Sequence, residues 1–326
     1  MSINATIRNQ RRIPMISLVE ISGRTKEKLV QLALEVAKAK PSKLKFPMLW
    51  SEKLDGNYCI SLKTRERLSS ISVGEVVYIF SRTGEVYTSM EHIQSELADV
   101  MDNDTLVIFE AYEPGMEQSV ISGHCRDTKE QHPELKARCH DLITINEFIN
   151  GGTVEYQDRY LALTELFDGF PERVHCSVVQ QYRVDSMEIA MELTKDVWKQ
   201  GREGGVLRNP HGLYAGGLGC PVVGTKRSED IIKLKQSVTY DLQVVGVEVG
   251  KGKYSNTLGK LIVRWMDGKT LPVSGMTDAQ RNAWWSDPKS IIGKIVEVKA
   301  MRDSSKGSLR EARFKSVRHD KLTADY

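Results

Sequence analysis

At 326 residues, with 40% hydrophobic and 27% charged positions of nearly balanced sign, the chain is predicted to form about two folded domains and not to stay disordered. A net charge of +3 is too small to identify a polyanionic partner, so the placement of charge matters more than its sum. The five cysteines (Cys59, Cys125, Cys139, Cys176, Cys220) are widely spaced, form no zinc-type pairs and read as reduced thiols of a cytoplasmic protein. No apolar run reaches the ~20 residues of a membrane span. The start, Met1 to Arg12, lacks a signal-peptide core, and its Arg11-Arg12 pair reads as a loose basic tail.

A helix is expected from Thr25 to Lys40, with Leu29, Leu32 and Val36 on one face and Pro41 as its stop. Glu52-Lys53-Leu54-Asp55-Gly56 follows. Gly56 permits a tight bend or a close approach to a ligand. Asp55 can orient a hydroxyl or sit near a metal. Lys53 becomes a nucleophile if burial or nearby positive charge keeps its amine neutral, against a reference pKa of ~10.4. Lys-x-Asp-Gly is also an ordinary surface turn. Tyr58 to Leu62 alternates like a strand. Val76 to Phe80 reads as a strand delivering Ser81-Arg82-Thr83-Gly84, where Arg82 either grips a phosphate with its planar fork or sits exposed on a hairpin turn. Leu106-Val107-Ile108-Phe109 is a buried-type run that places the Glu110 carboxylate at a strand end, suited to a ribose or a metal. Tyr160 to Phe167 and Ser186 to Lys199 read as helices packed on sheet faces.

In Glu203-Gly204-Gly205-Val206 two glycines beside a carboxylate suit close approach to a nucleotide phosphate, or simply a turn into a strand. Tyr214 to Gly224 is glycine-rich and expected to loop near the same site. Along Ile231 to Lys235, Ile232 and Leu234 face one way and Lys233 and Lys235 the other. The two cations form either a polyphosphate clamp or a solvated edge. After Val238 the texture changes. Leu242 to Val249, Leu261 to Met266, Lys269 to Val273 and Ile295 to Ala300 read as strands, with Asp267-Gly268 as a hairpin turn. Thr277-Asp278-Ala279-Gln280 matches a capping box opening a helix through Trp285. Short strands around one helix suit a five-stranded OB barrel. Lys289 to Lys321 holds ten Lys/Arg against four Asp/Glu, a candidate surface for tracking phosphates.

Taken in order, the stretches at Lys53, Arg82, Glu110, Glu203 and Lys233-Leu234-Lys235, with the late Arg318-His319-Asp320-Lys321, resemble the covalent nucleotidyltransferases. They are most similar to the short ATP-dependent DNA ligases of the bacteriophage type. The resemblance covers about Phe46 to Lys321. It implies an α+β fold: an adenylation (nucleotidyltransferase) domain of mainly antiparallel sheets with packed helices over residues 1–238, then an all-β OB-fold barrel over 239–326. It implies an enzyme that uses ATP and Mg2+ to seal nicks in duplex DNA, through lysyl-AMP on Lys53 and a DNA-adenylate. A monomer is expected, in the cytoplasm of the host if phage-encoded, with no membrane partner.

The site residues implied follow residue by residue. Lys53 is the nucleophile, assisted by Lys233 and Lys235, which are expected to help keep it deprotonated. Glu52, Asp55, Gly56, Arg82, Glu110, His140 and Glu203 join those lysines around the nucleotide, and Arg318 and Lys321 reach its β- and γ-phosphates. Glu203, with Glu110 and Asp55 behind it, is the metal contact, and Glu110 alternatively holds the ribose. Three departures stand out. Tyr58 occupies the place of a usual arginine, whose contact Arg82 is the candidate to replace. Ile108-Phe109 replaces the Asp-Gly that usually precedes the glutamate. His140 stands where relatives stack an aromatic ring on adenine, or is a structural histidine beside Asp141. The rival readings are an RNA ligase or GTP-using capping enzyme, and a non-catalytic nucleic-acid-binding protein of the same fold.

Overall fold

A computed structural model describes residues 30–40, 42, 44–64, 76–169, 174–217, 227–303 and 308–326. The Arg11-Arg12 start, residues 25–29 of the expected helix, its stop at Pro41, the loop end at 218–224 with Cys220, and Lys306 lie outside the described residues. Two compact units divide between Leu234 and Lys235.

The described part of the expected Thr25–Lys40 helix is not helical. Leu32–Glu35 is a strand, β1, followed by a single 3-10 turn at Val36–Lys38. The cause is a distant partner: β1 pairs in parallel with residues 227–233, Leu34 against Ile232, and tertiary pairing overrides local propensity. β2 (Met48–Lys53) and β3 (Asn57–Thr64) flank Asp55-Gly56. The hairpin of β4 (Val76–Ser81) and β5 (Val86–Tyr87) leads into helix α1 (Glu91–Val100). β6 (Thr105–Tyr112) precedes α2 (Gln118–Arg126), and β7 (Lys136–Thr144) runs into α3 (Ile145–Asn150). α4 (Tyr156–Asp168), β8 (Cys176–Val178), β9 (Tyr182–Val184), α5 (Met187–Lys199), β10 (Gly204–Arg208) and β11 (Arg227–Lys235) follow.

These strands make two sheets, ordered β1-β11-β10-β2-β9 and β5-β4-β3-β6-β7-β8. Pairing is antiparallel except at β1–β11 and β7–β8. The six-stranded sheet is buried on both faces. Cys59, Val107 and Phe109 pack with Ile93, Leu97, Ile121 and Leu163 of the helices. Ile60, Leu62, Leu106 and Ile108 pack on the other side with Phe148 and Tyr214. Double burial explains why 106–109 is an unbroken apolar run and not an alternating one. β6 continues to Tyr112, so Glu110 sits inside the strand and not at its end.

Two buried cations lock this sheet. Lys63 Nζ donates to the carbonyls of Ala98 and Met101 at 2.6 and 2.8 Å, satisfying orphan acceptors at the negative end of α1. Arg159 Nε and Nη2 donate to the two oxygens of Asp141 at 2.8 and 3.1 Å, and Nη1 to Val154 O and Gly212 O, tying α4 to β7 and the 212 loop.

In the second unit β12 (Val238–Val249) is long enough to serve two partners. Its first half pairs with β15 (Ile295–Asp303) and its second with β13 (Leu258–Arg264), with a register shift near Gly246. β14 (Thr270–Val273) and β16 (Leu309–Val317) complete the order β14-β13-β12-β15-β16. Phe314 N donates to Ser274 O at 2.8 Å, so the last strand meets the end of β14. The Asp267-Gly268 turn has both residues at positive φ, 57° and 71°. Helix α6 (Asp278–Ser286) opens on the expected Thr277–Gln280 capping box. The five-stranded barrel with one helix is therefore as the sequence led one to expect.

Arg159→Met should strand the Asp141 carboxylate, whose side chain is 3% exposed. Equilibrium urea denaturation is expected to show a loss of ~3–5 kcal/mol.

Candidate active site

β2 and β10 run antiparallel with Lys53 opposite Gly204 and Glu52 opposite Gly205. That register brings Glu203, just before β10, beside the amine: Lys53 Nζ donates to Glu203 Oε2 at 2.6 Å. The two glycines are a packing requirement. A Cβ on Gly204, whose φ is +147°, would overlap Leu234 O; one on Gly205 would overlap the Trp50 indole nitrogen, which donates to Thr194 Oγ1 at 3.0 Å. Gly56 is needed for the same reason, since a Cβ there would strike Ala111 O and lie 2.6 Å from Glu110 Cγ. Glycine thus lets the turn after Lys53 press against β6 and brings Asp55 and Glu110 into the field of the amine.

Burial pushes the Lys53 amine down, but the carboxylates of Glu203, Glu110 and Asp55 outweigh it and hold the pKa above its ordinary value. The expectation that Lys233 and Lys235 keep Lys53 deprotonated is therefore corrected. Three anions surround the amine, and Lys233 is itself paired with Glu35 at 3.4 Å. Lys233 and Lys235 do alternate with buried Ile232 and Leu234 along β11. Burial, with Glu203 and Asp55, raises Glu110 to about 7 against the pull of Lys53 and Arg82. This excess of carboxylate over cation, all hard oxygen donors, suits a Mg2+ ion.

Arg82 is exposed on the β4–β5 turn, where Ser81 Oγ accepts from Thr83 N and Glu85 N at 3.2 and 3.0 Å. Glu52 pairs with Arg202. On β7, Phe109 faces Cys139 and Ile108 faces Asp141, so His140 is the extra residue of a β-bulge, a device that re-aims a side chain. Burial, then the charge of Arg208, pushes His140 well below the ordinary imidazole range. The neutral ring accepts from the Arg208 guanidinium at 3.0 Å through Nδ1 and meets Tyr58 edge-on at 5.5 Å. The guanidinium acting on Tyr58 is that of Arg208, which also lies over the Tyr156 ring at 4.9 Å. Arg208 carried no signal beyond its place in the Glu203 stretch.

In the second unit Arg318 Nη1 donates to both Asp241 oxygens at 3.0 Å, and Arg318 Nε and Nη2 donate to Asp320 at 2.9 and 2.7 Å. Lys321 Nζ also contacts Asp241. Asp241, unmarked in the sequence, thus gathers both late cations.

A nucleotidyltransferase domain followed by an OB-like barrel is the class this architecture defines. The chain belongs to the ATP-dependent DNA ligase domain family: the model of the "ATP dependent DNA ligase domain" matches residues 43–235, and that of the "DNA ligase OB-like domain" matches 249–318. It is similar to "DNA ligase 2" of Methanosarcina mazei, 26% identical over 64% of this chain and 39% of that protein. It is also similar to a "Probable DNA ligase" of Pseudarthrobacter chlorophenolicus, 28% identical over 42% of this chain and 32% of that one. The chain thus matches well under half the length of these curated relatives. Among solved structures, "Pmar-Lig_PreS3" aligns with a TM-score of 0.73 and 25% identity over 90% of this chain and 68% of that one. A Lig E DNA ligase structure aligns at TM-score 0.66 and 19% identity over 89% and 98%, a likeness of fold. No described helix is long and apolar enough to cross a membrane.

Glu110 offers a direct check of the site's electrostatics. Side-chain carboxyl NMR is expected to give a midpoint near 7, well above the ordinary value of 4.5. Because the folded-state pKa is raised, the stability it contributes is full below pH 4.5 and is lost as the pH rises through about 7. Glu110→Gln should flatten that fall in the urea midpoint.

Proposed function

We propose that the protein is an ATP-dependent DNA ligase that works as a monomer on nicked duplex DNA. The observation that carries the reading is the Lys53 amine at the end of β2, held by Glu203 and faced by Glu110 and Asp55, in a chain of this family. In the proposed reaction Lys53 Nζ attacks the α-phosphorus of ATP. An N–P bond forms, the bond to the bridging oxygen breaks, and pyrophosphate leaves with that electron pair. An oxygen of the 5′-phosphate at the nick then takes the AMP from Lys53. The 3′-hydroxyl finally attacks that 5′-phosphorus, losing its proton and expelling AMP.

Lys53 must shed a proton before the first step, because its neighbours favour the ammonium. Glu203 Oε2, at 2.6 Å, is the adjacent acceptor. Whatever draws Glu203 away leaves only Glu110 and Asp55 against burial and lowers the amine pKa. Glu203, Glu110 and Asp55 are the proposed holders of Mg2+, which when bound supplies charge neutralisation at the phosphate oxygens. Glu110 alternatively holds the ribose. Glu52, Gly56 and Arg82 are assigned to the nucleotide, and Lys233 and Lys235 to its phosphates. Arg318 and Lys321 are assigned to the leaving pyrophosphate, a role that requires their release from Asp241. The neutral His140 ring is the proposed base-stacking surface. The OB-like match supports DNA over the RNA-directed alternatives. On that barrel, Lys299 lies opposite Arg313, and Arg313 and Lys315 are exposed on either side of buried Phe314, a row suited to phosphates.

Lys53→Ala and Lys53→Arg should both abolish transfer of AMP from labelled ATP to the protein, the arginine because its guanidinium stays protonated. Acid-sensitive label retained on either variant, or wild-type labelled by GTP and not ATP, would defeat the reading. Nicked-duplex affinity should fall steeply with salt, and Arg313→Ala with Lys315→Ala should reduce the log–log slope by ~0.9 for each phosphate no longer neutralised.

A further inference from the structure

We propose that His124, His132 and Glu134 form a binding site for a divalent transition-metal ion of the zinc type, separate from the residues around Lys53. The site would staple the end of α2 to the loop that leads into β7. His124 lies in the last turn of α2, and the chain reverses through Asp127 to reach His132 and Glu134 just before β7 begins at Lys136. One ligand atom from each of the three residues lies within 4.8 Å of the others. Glu134 Oε1 is the shared point, 2.9 Å from His124 Nδ1 and 3.1 Å from His132 Nδ1. Donors ~2.0–2.1 Å from a tetrahedral zinc ion lie roughly 3.3 Å apart, so the two contacts to Glu134 open by only a few tenths of an ångström.

Two observations favour a metal over an ion-pair network, and the ring stack sets what must move. His124 Nδ1 is buried and makes no hydrogen bond, although the Glu134 oxygen is close. The two rings stack at 3.9 Å and 7°. Their in-plane lone pairs therefore run in nearly parallel planes, and one ring turns out of the stack when both bind a single ion. His132 has its other nitrogen, Nε2, 3.2 Å from Asp127 Oδ2, while Asp127 Oδ1 accepts from Lys129 N and Glu130 N at 2.8 and 3.3 Å. A carboxylate on the far nitrogen of a ligating histidine is the arrangement that orients metal-bound imidazoles. Asp127 and Glu134 flanking His132 account for that ring alone and leave His124 Nδ1, 2.9 Å from Glu134 Oε1, without a hydrogen bond. Two imidazoles and one carboxylate suit Zn2+, Co2+ or Ni2+, whereas Mg2+ and Ca2+ take oxygen ligands. The side chains are 28%, 12% and 36% exposed, so an ion can enter from solvent.

The test uses the full chain, stripped with EDTA and held in excess Mg2+ to occupy oxygen-lined sites. Calorimetry with Zn2+ should show one equivalent bound, and Co2+ should give visible bands of a nitrogen- and oxygen-ligated ion. Zn2+ should also raise the melting temperature. His124→Ala, His132→Ala and Glu134→Gln should each abolish the equivalent, and Asp127→Asn should weaken it ~10–100-fold. Mapping diethyl pyrocarbonate modification on the unaltered protein avoids any folding defect: Zn2+ should protect His124 and His132. No zinc equivalent under Mg2+, binding unchanged in folded His132 and Asp127 variants, or equal histidine modification with and without zinc would each overturn the proposal.

Discussion

Burial of an amine works against its charge. The 2.6 Å contact between Lys53 and Glu203, with Glu110 and Asp55 beside it, outweighs that effect. It needs β10 set against β2 in one register, since a slip of one residue would turn Lys53 away from Glu203. It needs Gly204 and Gly205, because any side chain there would drive β10 away from β11 or from the Trp50 indole. It also needs Gly56, which lets Asp55 and Glu110 close on the same amine. Lys53 is a cation held by anions, in a place where burial works against its charge.

The other ionisable groups fit one electrostatic picture. Burial, with the negative charge of Glu203 and Asp55, pushes Glu110 up to about 7. Farther along, burial and then the charge of Arg208 push His140 in the opposite sense, toward the neutral ring. Neighbouring strands thus present a protonatable acid and an unprotonated ring to one region, each set by burial and by a named partner of fixed charge.

What was legible in the sequence was local. The capping box at Thr277, the Asp267-Gly268 hairpin and the alternation along β11 are short-range signals, and each has its expected form. The site stretches were legible as a family order. Features that depend on a partner far along the chain were not. Leu32 to Glu35 looks helical by spacing, yet a strand nearly two hundred residues away claims it. Arg208, Arg202, Glu35 and Asp241 mark themselves only by what they touch. The protonation of Lys53 depends on carboxylates from three separate stretches, so no count of nearby lysines could reveal it. The bulge at His140 is a one-residue mismatch between two strands and is invisible in either strand alone.

The Lys53 neighbourhood is assembled from two sheets. Lys53, Glu203 and the glycine pair belong to the β2–β10 ladder, whereas Glu110 and His140 belong to the β6–β7 ribbon. The two ladders lie in different sheets, and the turn at Gly56 joins them. The region can therefore evolve as two parts at different speeds. The bulge can shift along the ribbon and re-aim His140, while the half that holds the amine against Glu203 keeps its strand pairing intact.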